Sequence, residues 1–179
     1  MTTLLSENPS KKGPVTLFLH KALLKLLEKP KFKLQTTHIV HRALLNLVSL
    51  DAAVCNDIIE LVLPLCASIV HTSPGCQLVV MIIATASPKT RKTIIKSLKG
   101  LVHKIAKEQY AHLLLPALFE CVDDTVLIAK SIIAELFDGE KGAECLRDRT
   151  ASRVILFLMS GRDTRYLNGY IIDGLVYFT

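Results

Sequence analysis

An eight-residue pattern occurs four times in the chain: HIVHRALL at 38–45, SPGCQLVV at 73–80, QYAHLLLP at 109–116 and RTASRVIL at 149–156. The third places are Val40, Gly75, Ala111 and Ala151, small enough for close helix packing. The sixth and seventh are apolar each time. The fourth places, His41, Cys76, His112 and Ser152, are spaced by 35, 36 and 40 residues. A period of this size belongs to helical repeats. One copy cannot bury its own apolar face, so the copies must stack side by side, each covering its neighbour. The unit read from the sequence is a helix pair, with a long helix leading to each octet. The fold class is therefore all-α, a solenoid.

The remaining sequence agrees with that reading. The length of 179 residues suits one domain or one segment of a solenoid. Half of the residues are hydrophobic, and eight Gly and seven Pro are too few for a turn-rich β protein. Helices are expected at 14–29, 34–50, 52–70 with a bend at Pro64, 74–85, 88–107, 109–121, 125–137 and 149–159. Ser73-Pro74 and Ser87-Pro88 each set a capping hydroxyl before a first-turn proline. Asp123 and Asp124 can cap the helix after them. Residues 138–146 read as an acidic, glycine-containing loop. GYIIDGLVYFT at the end has β-branched and aromatic residues without helical caps. The organisation is thus a polar tail at 1–13, about four repeats over 14–160, and an unmatched tail at 161–179. No apolar run reaches the roughly 18 residues that span a bilayer, and the opening MTTLLSENPSKKG lacks a signal peptide's apolar core. No membrane contact is expected. Five cysteines without a CxxC pair read as reduced, buried thiols of an intracellular protein.

The octets resemble the second-helix signature of pumilio (PUF) repeats. The stretches HTSPGCQLVV, ASPKTRKTIIKSLKGLVHKIAKEQYAHLLLPALFECVDDT and SRVILFLMSGRD are similar to one divergent nucleolar branch, called Puf-A or Penguin, whose members also carry a C-terminal region known as CPL. The resemblance covers about residues 14–165 and is strongest over 68–137. It implies a right-handed superhelix of the armadillo/HEAT-like kind, and a chain that is a fragment or a truncated product of a longer repeat array. It also implies what the octets once held. In sequence-reading PUF proteins the fourth and eighth places hydrogen-bond a base edge and the fifth stacks on it. Here the eighth places are Leu45, Val80, Pro116 and Leu156, none of which can meet a base edge with a hydrogen bond. The branch implies RNA binding with little sequence preference, in the nucleus and nucleolus, in maturation of the large ribosomal subunit or in translational regulation, with pre-ribosomal proteins as further partners.

A net charge of +6 permits such a role without proving it. Between residues 89 and 107 lie Lys89, Arg91, Lys92, Lys96, Lys99, Lys104 and Lys107, against a single carboxylate-free background. Lys89, Lys92, Lys96 and Lys99 follow helical spacing on one face, with Arg91 beside them. Such a stripe can neutralise phosphates; its plain alternative is a solvated outer face. Arg42 and Arg153, at fifth places of their octets, fall on second helices, which in PUF proteins line the concave side. They are read as phosphate-facing, the alternative being pairing with neighbouring carboxylates. His38 and His41 lack a zinc-site spacing, Cys76 lacks an acid or a nucleophile elbow, and Asp123-Asp124 stand where a cap belongs. No catalytic group, metal or cofactor is expected. The competing function is a protein–protein scaffold that binds no nucleic acid.

Overall fold

The computed structural model describes residues 9–28, 37–50 and 56–163, and all its regular elements are helical. The expected extended segment at the C-terminus and most of the 161–179 tail lie outside the described residues. The chain divides into two compact units, 1–78 and 79–179.

In the first unit, α1 (Pro9–Leu27) packs on α2 (His38–Leu50) and α3 (Asn56–Val62). α1 begins before Pro14, which it accommodates near its start, where the missing N–H costs little. Pro64 bends the chain as expected: Leu63–Leu65 forms a tight 3-10 turn, followed by α4 (Cys66–Ile69). Leu44, Leu47, Ile58, Cys66 and Ile69 form the buried interior. α5 (Ser73–Thr85) then starts one residue earlier than its sequence suggests. Thr72, not Ser73, is its cap: the Gly75 amide donates to Thr72 Oγ1 at 3.1 Å. Gly75 is there because the chain turns back on itself; a Cβ on it would stand 2.0 Å from the Ile69 carbonyl oxygen.

The second unit holds the better-formed repeats. Ser87 caps α6 (Pro88–Leu98) as read, accepting from the Thr90 amide at 3.3 Å. The expected single helix over 88–107 is divided. Gly100 takes a left-handed turn (φ 83°), and α7 (Val102–Lys107) starts afresh. The break is held from far along the chain: the Glu135 carboxylate accepts from Gly100 N at 2.7 Å and from Val102 N at 2.9 Å. A tight turn (Ala111–Leu113) leads into α8 (Leu114–Cys121). Asp124 caps α9 (Thr125–Ile128) through the Leu127 amide at 2.9 Å, and a π turn (Ala129–Ile133) joins it to α10 (Ala134–Leu136). Residues 138–146 are not a loop. They form α11 (Gly139–Arg147), whose Gly142 and Cys145 are buried. Its glycines disguise it: Gly139 supplies the turn (φ 48°), and Gly142 lies against the Phe137 backbone, leaving no room for a Cβ. α12 (Ala151–Ser160) follows. α7 packs on α10, α11 and α12, and α12 on α8. The unit is a helix pair whose first arm is broken into a long and a short helix, while the second carries the octet.

Candidate functional site

The octet places separate cleanly by exposure. The fourth places His41, Cys76 and His112 are buried at 0%, 2% and 6% exposure. The eighth places Leu45, Val80 and Pro116 are buried too, and Leu156 of the last octet is exposed. The slot that would hold a base edge is apolar, and in the first three octets it is also closed. His41 is held inside: its Nδ1 shares a hydrogen bond with Thr72 Oγ1 at 2.6 Å, and its ring meets that of His71 edge-on at 5.7 Å. His112 Nδ1 donates to the Glu108 carbonyl at 3.0 Å. Burial pushes its pKa below the ordinary imidazole range, and the nearby Arg153 charge pushes the same way, so His112 is a neutral side chain of the interior. Neither histidine is placed to read a base.

The fifth places point outward instead. Arg42 is exposed on α2 and Gln77 on α5, while Leu113 and Arg153 are half-exposed. No described residue forms an ion pair with Arg42 or Arg153; the two ion pairs seen are Lys107–Glu144 and Arg162–Glu120. Arg42 borders a shallow cleft with Leu19, His38, Ile39, Ala43 and Asn46, so its guanidinium sits beside apolar surface. Arg153 lies on α12, close enough to His112 of the preceding octet for its charge to be felt there.

The lysine stripe is present on α6. Lys89, Lys92 and Lys96 are exposed along the helix and Lys99 is exposed at its end, with no carboxylate partner among the described residues. Ile94, Ile95 and Leu98 form the opposite, buried face. Lys107, further on, is engaged by Glu144 at 2.6 Å and is lost to a ligand at low salt.

Arg91 does not belong to the stripe. It is half-buried, and three of its donors serve backbone carbonyls: Nε to Ile83 O at 2.8 Å, Nη2 to Ala84 O at 2.9 Å, and Nη1 to Cys121 O. The expectation that it faces phosphate is corrected by this geometry, because a guanidinium turned inward offers little to a ligand. Sequence reasoning missed it since Arg91 stands among lysines at an unremarked helix position, and its partners lie up to 30 residues away.

The other candidates stay structural. Burial pushes the thiols of Cys66 and Cys76 up to about 12, far from a nucleophile's range. Among the described residues no three His, Cys, Asp or Glu side chains gather where a metal could sit, and no helix is long and apolar enough to cross a membrane.

No protein-family model matches the chain. Individual proteins do. Pumilio homolog 3 of Mus musculus is 35% identical over 118 residues, which cover 66% of this chain and 18% of that protein. Pumilio homology domain family member 6 of Schizosaccharomyces pombe is 31% identical over 166 residues, covering 92% of this chain and 25% of that protein. The chain thus spans a quarter or less of the length of these relatives. Among solved structures, human Puf-A matches with a TM-score of 0.90 and 27% identity over 99% of this chain and 34% of that one, both in a crystal structure of the protein and in one of its complex with DNA.

Proposed function

Because the chain belongs to the divergent pumilio-repeat family, with that family's helical-repeat fold, we propose that it binds nucleic acid, RNA above all, through phosphate contacts and with little preference for sequence. One observation carries the reading. The places that would read a base edge are apolar and mostly closed, while Arg42, Arg153, Lys89, Lys92, Lys96 and Lys99 stand outward with no carboxylate partner among the described residues. Such a surface attracts a polyanion and cannot distinguish its bases. The human Puf-A crystal structure in complex with DNA supports the same class of ligand. A role in nucleolar maturation of large-subunit pre-rRNA, alongside pre-ribosomal proteins, or in translational regulation, is the setting we infer from the family.

The test is titration of the purified chain with RNAs and DNAs of equal length, single-stranded and structured, over a range of salt. Affinities for different sequences should agree within about threefold, since a single edge contact of 1–3 kcal/mol would separate them further. Replacing Lys92, Lys96 and Lys99 together with Gln should flatten the log–log salt slope by about 2–3, at roughly 0.7–0.9 per phosphate released. An unchanged slope assigns the stripe to solvent and leaves the binding to Arg42 and Arg153. No binding to any nucleic acid at low salt would overturn the proposal and favour a protein–protein scaffold.

A further inference from the structure

A helix leaves its last four carbonyls without intrahelical partners. For α5 these are Ile82, Ile83, Ala84 and Thr85. The Ala86 amide closes on Ile82 O at 2.8 Å, as an ordinary continuation of the last turn. Ile83 O and Ala84 O are met by Arg91 Nε and Nη2. At the end of α8, the Val122 amide closes on Leu118 O, and Cys121 O is met by Arg91 Nη1. One side chain on α6 therefore supplies missing donors at the C-terminal ends of two octet-bearing helices belonging to consecutive repeats. Both ends carry the negative pole of a helix, where a cation is favoured.

We propose that Arg91 is the joint between these two repeats: a shared C-cap that makes the end of α5 and the end of α8 open and close together. Only arginine fits the part. Its donors diverge in one plane from a rigid fork, so three carbonyls from different directions can be met at once. A lysine ammonium is a point on a flexible stem and can cap one helix end at a time. The fork is half-buried, which protects its bonds from competition by water. The role is independent of any ligand.

The experiment is hydrogen exchange of the full chain, comparing wild type with R91M, R91K and, as a surface control, K92Q. In R91M, amides at the end of α5 (83–86) and at the end of α8 (119–122) should lose protection together, by about tenfold, more than those at the centre of α12. R91K should restore one end at most. K92Q should change neither. R91K indistinguishable from wild type would overturn the proposal, because charge alone would then suffice. So would a loss in R91M confined to α6, or one equal at every amide, which marks general destabilisation without a joint. If R91M does not fold, R91K and wild type decide the matter: unequal protection of the two ends in R91K supports the shared cap, and equal protection refutes it.

Discussion

Gly75 offers a test in which two ordinary effects have opposite signs. Replacing a helical glycine with alanine usually stabilises, because alanine restricts the unfolded chain and favours helix by about 1 kcal/mol. At Gly75 the new Cβ would lie 2.0 Å from Ile69 O, 2.9 Å from Ile69 C and 2.8 Å from Thr72 Oγ1. Two of these atoms are backbone and cannot swing away as a side chain does. An ordinary contact starts near 3.4 Å, so the start of α5 must retreat from the preceding turn by more than about 1 Å. That retreat breaks the cap from Gly75 N to Thr72 Oγ1, worth about 1 kcal/mol, and pulls on the Cys76 N to Thr72 O bond of 2.8 Å. Overpacking of a fixed site costs about 1–3 kcal/mol more. The gain in propensity is outweighed, and G75A should destabilise by about 1–3 kcal/mol. With a denaturant slope near 2 kcal/mol/M, the urea midpoint should fall by about 0.5–1.5 M. Gly13 is the control. It lies within α1, is exposed, and has nothing within 4 Å of its would-be Cβ. G13A should raise the midpoint slightly, by about 0.2–0.5 M. If both substitutions raise it, steric closeness at the third place of the octet is not what selects glycine, and the packing argument fails.

Two further predictions use the titrating groups. Asp148 Oδ1 accepts from Thr150 N at 2.8 Å and Ala151 N at 2.9 Å at the start of α12, and these bonds, the Ala151 amide first, hold its carboxyl below the usual range. The unfolded chain therefore binds a proton more readily, so the cap's contribution is complete above the unfolded carboxyl's pKa near 4 and is lost as pH falls through the lower folded value. The stability gap between wild type and D148N should narrow from pH 6 to pH 2.5; urea midpoints that stay parallel over that range would contradict it. The second concerns thiols. Cys66 and Cys76, raised to about 12 by burial, should resist a thiol-specific reagent at pH 8 until the chain unfolds, while the half-buried Cys121 reacts in the folded state; prompt labelling of Cys76, detected by peptide mapping, would disprove its burial.

What the sequence could disclose depended on how far along the chain the deciding contact lay. The period of the octets, the Ser87 cap and the turn at Pro64 are local, and each was readable from a few adjacent residues. The apolar eighth places were readable too, because a leucine, valine or proline side chain lacks hydrogen-bonding groups wherever it sits. That Leu45, Val80 and Pro116 are also buried is a property of the assembled repeats, and no octet contains it. α11 was hidden for a different reason. Composition marks glycine as a loop residue, yet Gly142 is in a helix because Phe137 presses on it. The two charges that most shape the second unit, Glu135 and Arg91, act on backbone atoms as far as 35 and 30 residues away. In the sequence they resemble any other surface charges. Arg91 shows the consequence for reading an interface. It sits among exposed lysines and carries the same formal charge, yet its fork is spent on carbonyls of the protein itself. A count of basic residues therefore overstates what a ligand can meet. The useful measure is the number of cations that the fold leaves without an internal acceptor, which makes Lys89, Lys92, Lys96 and Lys99, with Arg42 and Arg153, the residues on which a phosphate-binding role stands or falls.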